Sequence, residues 1–131
     1  MDEPLPGAQS ARRAKRGRLS RSAEFERAYR QGRSHVNRHL VVYAFPRGSG
    51  EDAQARLGVS VSRKVGGAVD RNRVKRLLRE AFAAELELVP AGHDVVVVAR
   101  PEARALAERE GLAGVRGALR ELLEQASRAS T

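Results

Sequence analysis

The chain has no cysteine. That removes disulfide scaffolds, thiolate zinc sites, thiol redox chemistry and cysteine nucleophiles together. No apolar run approaches the ~18 residues of a transmembrane helix. The first residues lack the roughly 7–15-residue apolar stretch of a signal peptide. A soluble cytoplasmic protein with no membrane partner is the expectation. Aromatic residues are few: Phe25, Tyr29, Tyr43, Phe45 and Phe82. His35, His39 and His93 are the only histidines, and they are too scattered for a metal cluster. No Ser-His-Asp pattern, Walker loop or paired acids in a plausible cleft stands out. The sequence therefore predicts no catalytic residue, no protein metal site and no small-molecule substrate.

A length of 131 residues fits one domain. Two halves would each be too small to bury a good core without staples. What the chain does have is positive charge: 25 Lys+Arg against 16 Asp+Glu, a net charge of +9. Only Lys15, Lys64 and Lys75 are lysine. Arginine suits phosphate and stacks on bases, although a GC-rich genome also favours it. The charge is clustered. Residues 12–38 carry ten basic residues against Glu24 and Glu26, a local +8. Residues 63–79 carry seven against Asp70, a local +6. Residues 80–131 sum to −3. Two basic blocks on an otherwise balanced chain point to a polyanionic partner, nucleic acid before others.

Residues 1–17 contain almost no large apolar side chain and read as a disordered basic arm. A domain is expected over 18–127. Ser20 or Ser22 can cap a first helix, with Phe25, Ala28 and Tyr29 on one face and Gly32 as its stop. Residues 39–45 alternate as a strand, with Leu40, Val42 and Ala44 opposite Val41, Tyr43 and Phe45. Residues 47–55 form a turn-rich loop. Residues 56–62 alternate again, with Leu57, Val59 and Val61 facing one way. A strong helix follows from about Val69 to Leu88, ended by Pro90 and Gly92. Val95 to Val98 suits a central strand. Pro101 opens a helical stretch that Gly111 interrupts, and the SRAST tail is expected to fray. The pattern predicts one small sheet with helices on one face and the other face partly open.

The segment RKVGGAVDRNRVKRLLREAF carries the most information. At about 100° per residue, Val74, Leu77, Leu78, Ala81 and Phe82 share an arc of about 140°. Arg71, Asn72, Arg73, Lys75, Arg76 and Arg79 occupy the rest. Arg71 and Arg73 are placed in the first turn, where the helix dipole opposes cations. Arg71/Lys75 and Lys75/Arg79 are like-charge pairs four apart. Asp70 is expected to cap the helix and to offset only part of this. A phosphate ligand would cancel these costs, because helix N-termini bind anions and Gly66-Gly67 admits a close approach. Asn72 can read a sugar hydroxyl or base edge, or can merely support the loop.

Phe25, Tyr29 and Tyr43 could stack on bases of a single strand. Phe25 and Tyr29 could equally anchor their helix to the sheet. His35 and His39 could in principle hydrolyse RNA as an acid–base pair, but the segment from Val36 to Val42 reads as extended. A ribosomal or assembly-type RNA-binding protein would carry the same basic surface.

The stretch LGVSVSRKVGGAVDRNRVKRLLREAF, with Arg71-Asn72-Arg73 after a Lys–x–Gly loop, resembles the bacterial ribonuclease P protein component. The upstream RLSRSAEFERAYRQGRSHVNRHLVVYAF is also similar to that family, and the resemblance spans roughly residues 18–126. It implies an α+β fold, a two-layer αβββαβα sandwich whose four-stranded sheet has a left-handed βαβ crossover. It implies a subunit of an endoribonuclease whose active site lies in its RNA. The partners are then the ribonuclease P RNA subunit and precursor tRNA, with Mg²⁺ held mainly by the RNA. Arg63, Lys64, Arg71, Asn72, Arg73, Lys75, Arg76, Arg79, Asn37 and Arg38 are implied as RNA-binding. Phe25, Tyr29 and Tyr43 are implied as lining a cleft for the 5′ leader.

Overall fold

Alternation and apolar runs decide where the strands lie. The computed structural model describes residues 22–47 and 55–129. The expected arm at 1–17, the candidate cap Ser20 and most of the 47–55 loop lie outside the described residues. In chain order the elements are helix α1 (Ser22–Gln31), strands β1 (Arg33–Val36), β2 (Leu40–Pro46) and β3 (Leu57–Val61), helix α2 (Ala68–Ala84), strand β4 (His93–Ala99) and helix α3 (Ala103–Ala129). This is the αβββαβα order that the family resemblance implies. The sheet order is β1-β2-β4-β3. β2 runs antiparallel to β1 and β4, whereas β3 and β4 are parallel neighbours joined through α2.

The main core lies between the sheet and the α2/α3 layer. Leu40 and Val42 of β2, Leu57 and Val61 of β3, and Val95, Val97 and Ala99 of β4 face this layer. Val74, Leu77, Leu78, Ala81 and Phe82 meet them from α2, as the wheel predicts. Val115, Leu119, Leu122 and Leu123 meet them from α3. Each such side chain, when fully buried, contributes about 1.5–3 kcal/mol.

The second face is not left bare. Ala28 of α1 packs on Phe45 and Val96, flanked by Phe25, Tyr43 and Val98. The Arg27 guanidinium sits 5.2 Å from the centre of the Phe45 ring. α1 thus covers part of the face that the pattern leaves open. This explains the unbroken apolar run Val95–Ala99 of β4: it is buried from both sides.

Three features differ from the sequence expectation. β1 has no apolar alternation and is an exposed edge strand, so its Arg-Ser-His-Val carries little signal. α2 ends at Ala84, and a 3₁₀ turn (Leu86–Leu88) takes the place of its expected last turn. The cause is Glu85, 6% exposed, whose carboxylate accepts from Arg116 Nη2 at 2.7 Å and Nε at 3.0 Å. Ser127 to Ala129 remain helical because Ala126 is buried beneath them. α3 breaks at Gly111, as expected, where φ is 59° and ψ −144°. Glycine enters such a conformation at little cost.

Candidate RNA interface

Strand direction gathers the cationic segments. β3 and β4 both end on the row Val61–Ala99, where β2 begins at Leu40 and β1 has just ended at Val36. The turn holding Asn37 and Arg38, the loop holding Arg63 and Lys64, and the start of α2 therefore leave the same end of the sheet. Arg38, Arg63, Lys64, Asn72, Arg73 and Arg76 are exposed, and Arg71, Lys75 and Arg79 are half-buried. The structure thus groups Arg38, Arg63, Lys64, Arg71, Asn72 and Arg73 at one sheet end. Lys75, Arg76 and Arg79 continue along α2.

The start of α2 corrects two expectations. Gly67 is the N-cap, and no side chain caps the helix. Asp70 is inside the first turn, and its carboxylate faces Arg104 Nε of α3 at 3.5 Å. This pair holds the two helices together at the cationic end. Arg71 consequently closes the first turn, its N–H donating to the Gly67 carbonyl at 2.9 Å, and Arg73 falls in the second. The dipole cost of Arg73 is therefore smaller than the sequence suggests, since the effect fades within a turn. A Cβ on Gly66 would lie 2.8 Å from an Asp70 carboxylate oxygen, so the loop needs glycine there. Arg71 Nε is buried and meets no hydrogen-bond partner among the described residues. A buried donor of this kind costs free energy until something accepts from it.

Asn37 is unlike its neighbours. Its Oδ1 accepts from the His39 and Leu40 N–H groups, each at 2.9 Å. Its Nδ2 donates to the Ala118 carbonyl at 3.0 Å and to Glu121 Oε1 at 3.2 Å. Its own carbonyl accepts from Arg100 Nη1 at 2.8 Å. The residue ties the β1–β2 turn to α3 and so fixes the base from which Arg38 projects.

The aromatic residues form a second cluster on the sheet face opposite α2. Tyr29 and Tyr43 meet edge-on, with ring centres 4.9 Å apart, and Phe25 lies 6.3 Å from Tyr29. Tyr29 is 44% exposed, while Phe25 and Tyr43 are half-buried. The three rings thus both anchor α1 and leave π-surface open. Burial raises the Tyr29 phenol above its usual pKa, a hydrogen bond with Ser60 lowers it, and Tyr43 raises it. Ser60 was not singled out by sequence, although its alternation with Leu57, Val59 and Val61 assigns it to this face.

His35 and His39 are not placed on a helix face as an acid–base pair. His35 lies within β1 and His39 in the turn after it. Among the described residues no group of three or more metal-ligating side chains could hold an ion. No helix among them is long and apolar enough to cross a membrane.

Fold and surface together define a small αβββαβα protein that presents a cationic helix on one side of its sheet and an aromatic cluster on the other. A family model described as ribonuclease P matches residues 14–126. The ribonuclease P protein component of Exiguobacterium sp. is 44% identical over 93 residues, covering 71% of this chain and 78% of that protein. That of Clostridium novyi is 37% identical over 112 residues, covering 86% and 95%. The solved RNase P protein of Staphylococcus aureus superposes with a TM-score of 0.72 at 34% identity, covering 84% of this chain and 94% of that one. The Thermotoga maritima RNase P protein gives 0.72 at 34%, covering 82% and 96%. The chain belongs to the bacterial ribonuclease P protein component family.

Proposed function

We propose that the chain is the protein subunit of ribonuclease P, binding the catalytic RNA subunit and the 5′ leader of precursor tRNA. The observation that carries this reading is the convergence of Arg38, Arg63, Lys64 and the start of α2 on one sheet end. In this reading Arg71, Arg73, Lys75, Arg76 and Arg79 neutralise phosphates, and Asn72 supplies a polar contact. Asn37 acts by holding Arg38 in place. The exposed faces of Tyr29, Phe25 and Tyr43 stack on leader bases, at about 1–3 kcal/mol per base. The two buried carboxylates, Asp94 and Glu85, are already engaged by arginines. In this reading Mg²⁺ is held by the RNA subunit, and this chain's residues enter as phosphate and base ligands.

The test is cleavage of a precursor tRNA by the cognate RNA subunit at low Mg²⁺, with and without this protein. Cleavage that requires both components is expected, and no stimulation would overturn the reading. Phe25→Ala separates the two surfaces. It should weaken binding of leader-bearing precursor by about fivefold to a hundredfold and leave leaderless tRNA unchanged. Equal loss on both RNAs would remove the aromatic cluster from the leader site.

A further inference from the structure

At the other end of the sheet from the cationic turn and loop, where β2 finishes at Pro46 and β4 begins at His93, lies a cavity of about 290 Å³. Its size is near the lower end of small-ligand sites. Gln31, Arg33, His35 and His93 supply its polar groups, and Ala126 and Ala129 of α3 close one side. Among the described residues no carboxylate lines it. Arg33 and His35 point to the α3 side of the sheet because they pair with Ala44 and Val42. β1 is the edge strand farthest from β3, so the cavity also lies at the opposite edge from α2.

We propose that this cavity binds a phosphate group, separately from the α2 surface. Three observations support the ligand class. The described lining offers a permanent guanidinium, two imidazoles and an amide, with no acid among those residues. His35 Nε2 is buried and meets no hydrogen-bond partner among the described residues. Such an atom is normally satisfied by protein, water or ligand. His93 Nδ1 lies 2.9 Å from the Ala91 carbonyl and so donates to it, which leaves Nε2 for a ligand. Protonation turns that nitrogen into a second donor. Arg47 Nη1 donates to the His93 backbone carbonyl at 3.1 Å, but its charge is paired with the buried Asp94 at 3.3 Å and adds nothing to the site.

The negative end of the α3 dipole also faces this region. It opposes an anion, so phosphate needs charged imidazoles as well as Arg33 to bind there. Occupancy should therefore strengthen as the imidazoles gain protons. The charged and titratable groups facing it are Arg33, His35 and His93, with the Arg47–Asp94 pair behind His93 and that helix end. A cation is the poorer ligand, because Arg33 lines the same space.

The experiment is imidazole NMR of the full chain, titrated with inorganic phosphate at fixed ionic strength near pH 6 and near pH 7.5. His35 and His93 signals should shift saturably, with tighter binding at the lower pH. Arg33→Gln should weaken that binding about tenfold, as loss of a charged hydrogen bond does. Arg73→Gln on α2 should leave it unchanged. No saturable shift, or a shift lost in Arg73→Gln but kept in Arg33→Gln, would overturn the proposal. A short single-stranded oligoribonucleotide distinguishes the sources. If it moves the same imidazoles at much lower concentration, the ligand is an RNA backbone phosphate. If only inorganic phosphate moves them, the ligand is a free phosphate or phosphomonoester. The outcome is independent of whether precursor tRNA cleavage is stimulated.

Discussion

Replacing Lys75 should make the protein more stable and its RNA binding weaker. Lys75 is half-buried on the polar side of α2, four residues from Arg71 and four from Arg79. Each like-charge pair at this spacing costs roughly 0.2–0.5 kcal/mol. Lys75→Gln removes both pairs and keeps much of the aliphatic stem. The expected gain is therefore about 0.4–1 kcal/mol, or about 2–5 °C in Tm for a domain of this size. Binding should move the other way. One phosphate contact contributes about 0.7–0.9 to the slope of log affinity against log salt. The wild-type advantage over Lys75→Gln should therefore shrink about threefold between about 50 and 200 mM salt. Thermal unfolding by circular dichroism reads the first effect, and fluorescence anisotropy with the RNA subunit across a salt series reads the second. A variant that is less stable, with an unchanged salt slope, would refute the view that α2 carries uncompensated charge for a polyanion.

The remaining predictions concern what supports the surface. Asp94 is fully buried and accepts from the Arg56 N–H at 2.8 Å, from Arg56 Nη2 at 2.9 Å and from Arg47 Nη1 at 3.3 Å. Asp94→Asn should cost about 3–5 kcal/mol in urea unfolding, the cost of breaking a buried ion pair; a loss below about 1 kcal/mol would contradict that account. Asn37→Ala should remove the acceptor for the His39 and Leu40 amides and cost about 1–3 kcal/mol. Hydrogen exchange at those two amides should accelerate, and unchanged protection would show that the turn holds without Asn37. Burial lowers the His35 pKa below its ordinary value, the nearby Gln125 amide opposes this in part, and Arg33 adds to the lowering. The folded state then binds fewer protons than the unfolded chain, so this contribution is intact above about pH 6.5 and is lost as pH falls toward the lower folded value. In phosphate-free buffer, His35→Gln should flatten the pH dependence of stability between about pH 7.5 and 5.5; an unchanged slope would refute the assignment.

Features that repeat locally were legible in the sequence. Val74, Leu77, Leu78, Ala81 and Phe82 share a helical arc and are all buried. The alternation of Leu40 to Phe45 and of Leu57 to Val61 assigns the right residues to the α2/α3 core. The apolar run Val95–Val98 identifies the central strand, and Gly111 marks the helix break. What escaped depends on distant partners. α2 stops early because Glu85 is drawn to Arg116, 31 residues away. Asn37 resembles a free polar side chain until Ala118 and Glu121, 81 and 84 residues on, are seen to engage it. Asp70 stands where a cap is plausible but pairs with Arg104. β1 has no periodicity to read, because an edge strand buries little.

The topology explains why so much like charge can be gathered without breaking the fold. Placing β3 beside β4 in parallel sends both strands to the same end, and the antiparallel β2 starts there. The segments leaving that end lie outside the sheet, so most of their cations stay at least partly in water while the apolar faces of α2 and the strands make the core. Self-repulsion between exposed groups is then modest, since solvent and salt screen it. Among the described residues it is opposed locally by few acids: Asp70 against Arg104, Glu80, 3.9 Å from Arg76, and Glu121 at the Asn37 turn. The acids that could neutralise more of the charge are held elsewhere, Glu85 by α3 arginines and Asp94 by Arg47 and Arg56 at the far end of β4. Both carboxylates are bound within the interior, where each stabilises a connection of the chain and neither reaches the cationic end. The charge imbalance of that end is thus built into the sheet order. A Glu at position 75, facing Arg71 and Arg79, would offset the imbalance and stabilise the free protein. Under the proposed function it would also weaken RNA binding, whereas the native Lys75 keeps this surface cationic.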